Sequence, residues 1–501
     1  MKQYILRTIA VIIVASLLNS CSKKSLDFVP QGPPVAATFW KTEGDAMAAY
    51  YALFSPQNAY EEYYGRGYMW YIDAGPDMVV GRNNSSGANI KNFNPGAATA
   101  GYVQEQWKMR YLVIKRANDI IKNLPGMDID ASLKNRILGS AYFMSGLAYF
   151  EMTYTYGDNN AGVPIVDTAG TLNDYYIPRA ASAKVNYDYI EGLWKKAAEL
   201  LPFYQDLSPT DYGSPHKVAV WAYMSKMLLY EKEYAQSENY ADSVIQLGQR
   251  NLEPHFKDVF TIAENWGPEY IWSMVSNTHG GSELPGVMLE NKGWGKYNGW
   301  GYFQPTKELY DAYEPGDQRR EATILKFGDH FTFFGEDMVY QSTNSLTGYQ
   351  FNKYMEPFSY PDLLHVNPDG NFPTTDLNVP LLRYADVLLI KAEDELMQGK
   401  SADMEINLIR NRAGLPSISG ATMADLKLER RCEFAGEYAN TYFDLVRWGD
   451  AQVACSVPLH GADGQEVWPA RNFDPSYMNV WPVPQAEIDN SGGVIVQNQG
   501  W

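Results

Sequence analysis

Residues 216–247 carry the pattern that most restricts the fold. Ala219, Ala222, Leu228 and Leu229, then Tyr234 and Ala235, then Ala241, Val244 and Leu247 follow helical spacing in two consecutive runs. Small residues at these places let two antiparallel helices nest. Such a pair still has an apolar face left over, which is buried only by stacking on a neighbouring pair. Other stretches obey the same rule. Within 103–124, Trp107, Tyr111, Ile114, Asn118 and Ile121 recur at steps of four, three, four and three. Pro125-Gly126 separates this run from 132–156, where Ala141, Ser145 and Ala148 permit close approach. Late in the chain, Ala385, Leu388, Leu389, Ala392 and Leu396 mark a further helix, and 403–413 returns.

These pairs resemble tetratricopeptide helix pairs, and about four are expected. Between about 264 and 380 the texture changes. Tyr270 to Val275 reads as a strand, and glycine, proline and asparagine become frequent. Loops of this length inside a folded chain are usually functional. The expected fold is therefore mainly α, a tetratricopeptide-like helical-pair scaffold with an irregular, loop-rich ligand-binding insertion and few short strands. The expected boundaries are 41–263 for an N-terminal helical region, 264–380 for the insertion, and 381–501 for a C-terminal region with a helical pair and irregular tail.

Charge narrows the function. Forty-one basic against 59 acidic side chains give −18 over 501 residues, the wrong sign for a nucleic-acid binder. An apolar content of 45% with 20% charged residues excludes disorder. The unusual quantity is aromatic, with 37 Tyr, 20 Phe and 13 Trp. A core does not require so many phenol hydroxyls, so part of this excess points to a surface.

The first twenty residues read as an address. Lys2 and Arg7 precede an apolar run from Ile9 to Leu18, too short to span a bilayer. Leu18-Asn19-Ser20-Cys21 is similar to a bacterial lipobox, with Asn19 in place of the usual small residue. Residues 1–20 are thus expected to be a lipoprotein signal, Cys21 the lipidated first residue, and 21–40 a lipid-anchored tether. The mature charge becomes 39 − 59 = −20, so acyl chains rather than the protein surface must hold it at an anionic membrane. Cys432 and Cys455 read as buried thiols, with a single bridge left open.

Several segments together resemble the RagB/SusD family. They are Arg383-Tyr384-Ala385-Asp386-Val387-Leu388-Leu389, Ile409-Arg410-Asn411-Arg412-Ala413-Gly414-Leu415, Glu429-Arg430-Arg431-Cys432-Glu433-Phe434 and Phe443-Asp444-Leu445-Val446-Arg447-Trp448-Gly449. Trp481-Pro482-Val483-Pro484 and the end Gln497-Asn498-Gln499-Gly500-Trp501 add to it. The resemblance implies a lipoprotein of the outer membrane, facing the extracellular side, that captures a glycan and caps a SusC-like, TonB-dependent transporter. It implies a binder and not an enzyme, with no cofactor. Lys23-Lys24 depart from the acidic residues that surface-exposed members often carry after the lipidated Cys. Arg383, Glu429, Arg430, Glu433, Asp444 and Arg447 stand at intrahelical pairing distances and read as scaffold.

A neutral glycan offers apolar C–H faces and a rim of hydroxyls, so its site wants aromatic platforms edged by polar groups. Two segments fit. Residues 60–71 hold six aromatics, including Trp70 and Tyr71, followed by Asp77, Arg82 and Asn83. For this cluster, core and site weigh equally. Residues 294–303 hold Trp294, Tyr297, Trp300, Tyr302 and Phe303 among four glycines, where exposure is favoured. Trp266 is a weaker third candidate. Peptide capture and glycoside hydrolysis remain as alternatives; the hydrolase would need two carboxylates flanking a scissile bond. His-Glu-x-x-His and Cys-x-x-Cys are absent, so no metal site is expected. Gly399-Lys400-Ser401 lacks the first glycine of a phosphate loop, and Asn367-x-Asp369-x-Asn371 lacks the glycine of a calcium loop.

Overall fold

The computed structural model describes residues 39–57, 63–80, 85–167, 177–276, 301–333, 335–341, 345–356, 375–439 and 441–501. Eleven helices of eight residues or more occur among them. These are α1 (Glu43–Phe54), α2 (Arg66–Asp73), α3 (Gly101–Asn123), α4 (Ala131–Tyr156), α5 (Ala183–Leu200), α6 (Lys217–Glu231), α7 (Tyr234–Leu247), α8 (Tyr384–Met397), α9 (Asp403–Arg412), α10 (Met423–Phe434) and α11 (Thr441–Trp448). The described strands pair into five antiparallel two-stranded ribbons. The mainly α, helical-pair architecture is the one the spacing predicts.

Local chemistry sets the helix ends. Thr42 and Thr422 open α1 and α10 with reciprocal capping boxes to Asp45 and Asp425. Asp130 caps α4. His216 caps α6 through Nδ1, which accepts from the Ala219 N–H at 3.2 Å, while its Nε2 lies 2.8 Å from the Ile271 carbonyl. Burial pushes that imidazole down to about 3, so it stays neutral. The α6–α7 turn closes at Lys232 in the left-handed region.

The helices stack in series, α3 on α4, α4 on α5, α5 on α6, α6 on α7 and α7 on α8, with α9 and α10 against α8. Ala141, Ser145 and Ala148 are all buried in α4, as close packing requires. The buried face of α3 is rotated from the expected one. It runs through Val103, Gln106, Trp107, Arg110, Val113, Ile114, Ala117 and Ile120, while Asn118 reaches the Val166 carbonyl at 2.8 Å. The shift centres the face on a buried Arg110, which an apolar pattern does not register.

The C-terminal tail is strapped across the N-terminal helices. The Trp481 N–H donates to the Thr155 carbonyl (2.8 Å), and Asn498 Nδ2 donates to the Tyr156 and Trp481 carbonyls (3.0 and 2.7 Å). Arg179 donates to Asn498 Oδ1 at 2.7 Å. Cys432 and Cys455 are free, buried thiols, which answers the bridge left open above.

Candidate functional site

Two short strands organise the site, β1 (Met78–Val80) and β3 (Phe303–Pro305). They pair antiparallel in the register Met78↔Pro305, Val79↔Gln304 and Val80↔Phe303, and all six residues are buried. The ribbon is fixed at its Met78/Pro305 end and at its centre. The Thr306 N–H and Oγ1 donate to the carbonyls of Asp77 and Pro76 (3.1 and 2.8 Å). Gln304 Oε1 accepts from the backbone N–H groups of Leu346 and Thr347 (2.8 and 3.2 Å) and from the Ser345 hydroxyl (3.2 Å). Val80 and Phe303, paired at one end of this ribbon, are the strand residues nearest in sequence to Arg82 and Asn83 on one side and to Trp300 on the other. Arg82, Asn83, Trp294, Tyr297, Trp300 and the lipidation candidate Cys21 themselves lie outside the described residues. Tyr302 is half-buried at the ribbon end, its ring tilted against Phe303 at 6.2 Å.

Trp70 and Tyr71 do not stand at the surface. They are 0% and 1% exposed, so the structure corrects them from platforms to core. The reason is a set of rungs between α2 with its N-terminal approach and α4. The Tyr64 hydroxyl donates to Glu151, the Tyr68 and Tyr154 hydroxyls lie 2.7 Å apart, and those of Tyr71 and Tyr156 3.1 Å apart. Each phenol thus buries its ring without losing its polar partner. Arg110 completes the layer, 3.2 Å from Glu151 and with its guanidinium 4.3 Å from the Tyr63 ring centre. Burial pushes the Glu151 carboxyl up, and Arg110 opposes that push. Trp70 lies under the ribbon, edge-on to Phe303 at 5.2 Å and stacked on Tyr102 at 5.9 Å. Its seat exists because residue 87 is glycine; a Cβ there would stand 2.1 Å from the indole. Trp70 therefore supports the ribbon that carries Tyr302 from beneath.

Asp77 is set apart as well. It precedes β1, at the end away from Val80, a separation of roughly 10 Å along three strand residues. Its carboxylate is taken by Arg431 at 2.6 Å. With Ile72, Met78, Leu428, Leu445 and Trp448 it lines a separate, mainly apolar cavity of about 460 Å³. The Trp448 indole N–H is used by Glu393 at 2.8 Å, in keeping with a scaffold role.

Two family models match this chain. One, the SusD family, covers residues 268–501; the other, a SusD-like family described as starch-binding and associating with the outer membrane, covers 49–229. The chain belongs to the SusD/RagB family. A SusD-like protein of Formosa agariphila is 27% identical, over 92% of this chain and 95% of that protein. The crystal structure of a SusD-like protein from Bacteroides fragilis superposes with a TM-score of 0.77 at 25% identity, covering 93% of this chain and 99% of that one. Surface glycan-binding protein A of Bacteroides thetaiotaomicron, solved in complex with laminarihexaose, shares the fold with a TM-score of 0.73 at 22% identity, covering 91% and 99%.

The shared SusD/RagB motifs are structural, though not as intrahelical pairs. Arg383, at the end of strand β8 (Val379–Arg383), reaches Glu433 at 2.6 Å and Glu437 at 2.8 Å, and also Glu269. Arg319 joins Glu429 (2.8 Å) to Glu433 (3.3 Å). A second chain alternates in sign across four helices. Lys226 and Arg430 hold Asp386 (2.8 and 2.9 Å), Arg430 and Arg447 hold Asp444 (2.9 and 2.8 Å), and Arg447 holds Glu393. Against the upward push of burial, Lys226 and Arg430 keep the Asp386 carboxyl at about 2. Only Arg447–Asp444 is an i,i+3 pair; the remaining contacts of these motif residues join different elements. Nothing local in the sequence marks Glu269, Arg319 or Glu437, whose partners in this network lie 54 to 114 residues away. Among the described residues, no group of three His, Cys, Asp or Glu is placed to hold a metal ion, and no helix is long and apolar enough to cross a membrane.

Proposed function

We propose that this SusD/RagB protein captures a neutral glycan at the ribbon end and passes it to a TonB-dependent transporter of the SusC type, while lipid on Cys21 tethers it to the extracellular face of the outer membrane. The observation that supports this reading is the pairing of Val80 with Phe303, residues that flank in the chain the two segments rich in aromatic and amide side chains. Stacking platforms edged by Arg82 and Asn83 suit a pyranose face with its hydroxyl rim. In this reading Tyr302, at the ribbon end, and the neighbouring Trp294, Tyr297 and Trp300 of the sequence supply the rings. The relative solved with laminarihexaose shares the fold and lends the reading its ligand class. A charge of −20 on the mature chain disfavours polyanionic glycans.

Glycan-array and peptide-library screens of the chain test this directly. We expect retention of neutral glycans, and expect Trp294→Ala or Trp300→Ala to raise the dissociation constant at least tenfold without changing the melting temperature, stacking rings being worth about 1 kcal/mol or more beyond their area. Retention of peptides with no glycan bound replaces the ligand class. Calorimetry showing unchanged affinity in both variants removes the second aromatic segment from the site.

A further inference from the structure

The connection from α5 to α6 and the turn before strand β2 (Tyr270–Met274) hold an aromatic array apart from the β1–β3 ribbon. Arg250 lays its guanidinium 3.7 Å from the centre of the Tyr204 ring. Tyr204 stacks on Tyr212 at 5.3 Å and 16°, and Tyr212 meets Trp266 at 6.2 Å. Tyr204 is buried, whereas Tyr212 and Trp266 are half-buried. The Trp266 indole N–H and the Tyr212 hydroxyl meet no hydrogen-bonding partner among the described residues.

The backbone at Trp266 is costly. Its φ is 66°, where a bulky side chain rarely sits. Phe93 and Tyr354 share that sign of φ but are fully buried, so core packing offsets their strain. Trp266 is only half-buried, its ring meeting Tyr212, Tyr270 and Gly213, and its conformation is imposed from several sides. The Tyr204 hydroxyl donates to the Trp266 carbonyl at 3.4 Å. Arg250 donates to the carbonyls of Gly267 (3.1 Å) and Tyr270 (2.9 Å), and the Gly267 N–H donates to the Glu264 carbonyl at 2.9 Å. Beneath the ring lies Gly213 at φ 90°, where a Cβ would stand 2.8 Å from the indole and 2.6 Å from Val275. An over-determined strained residue that is only half-buried points to a functional contact. A rigid indole with an unused N–H meets the C–H face and the hydroxyls of a sugar at little ordering cost.

We propose that Trp266 and Tyr212 form a second stacking subsite for a neutral pyranose unit, engaged by glycans long enough to use more than the ribbon end. The inference rests on the glycan reading and adds a place where chain length is sensed. The test compares the full chain with its Trp266→Asn, Tyr212→Ala and Trp300→Ala variants, on an array of size-graded neutral oligosaccharides of starch, laminarin, xylan and mannan. Asn removes the ring yet accepts the left-handed backbone. We expect Trp266→Asn to keep or raise the melting temperature. We also expect it to weaken the longest retained oligosaccharide roughly two- to tenfold while sparing the shortest. Trp300→Ala weakens every length. If Trp266→Asn and Tyr212→Ala bind all lengths as tightly as the unaltered chain, the subsite is overturned and capture at the ribbon end stands. A lowered melting temperature with length-independent binding makes the ring structural and overturns it too. If the unaltered chain retains no oligosaccharide, the glycan reading itself falls.

Discussion

At the scale of single residues, an aromatic side chain takes its meaning from what stands opposite it. Trp70 and Tyr71 share their density of rings and polar neighbours with a sugar platform, yet Tyr71 meets Tyr156 of α4 while Phe303, Tyr102 and Gly87 close over Trp70, and burial wins. We expect Trp70→Ala to destabilise the protein by about 3–5 kcal/mol in chemical denaturation, the range for removing a large buried ring. Gly87→Ala is expected to cost about 1–3 kcal/mol by overpacking against the same indole. If Trp70→Ala instead leaves stability intact and removes glycan binding, the ring belongs to the site after all. This is also where a single sequence stops being legible. Helical spacing places Tyr64, Tyr68 and Tyr71 on one face, but it does not say whether that face meets solvent or Glu151, Tyr154 and Tyr156.

At the scale of elements, the helices of the scaffold could be read because period and small residues report on the immediate neighbour. The exceptions have a common cause. The face of α3 turns on Arg110, and the motif charges pair across helices, because a buried ion is admitted only by its distant counter-ion. The β1–β3 ribbon joins residues more than two hundred positions apart, so no local pattern announces it. The same logic gives a prediction for the interior. Arg383→Met removes the cation shared by Glu269, Glu433 and Glu437 and should cost about 3–5 kcal/mol, since it strands buried carboxylates rather than a surface pair. A urea titration showing a loss below about 1 kcal/mol would mean that Arg412, which also pairs with Glu269 and Glu433, and Lys353, which also pairs with Glu437, suffice as counter-ions.

At the scale of the whole molecule, proton linkage sets the stability profile. Burial pushes the Asp394 carboxyl of α8 up to about 8, with the Ser237 hydroxyl opposing. Its folded affinity for a proton exceeds the unfolded one, so its contribution is complete below about pH 4 and is lost as pH rises to about 8. Asp386, held at about 2, acts in the opposite sense, and its contribution is lost only as pH falls from about 4 towards 2. We therefore expect the melting temperature to decline from mildly acidic to alkaline pH, and Asp394→Asn to flatten that decline; an unchanged slope in the variant would assign it to other groups. The strap of the tail has a consequence for the order in which the molecule can be made. Backbone carbonyls at the end of α4 receive donors from Trp481 and Asn498, and the Tyr64 carbonyl receives one from the Tyr438 hydroxyl. The N-terminal helices pack on one another, but these carbonyls at their edge find their partners only in the C-terminal part. Each of these contacts closes a loop of more than three hundred residues, so the strap is expected to be among the last parts of the fold to form and among the first to open.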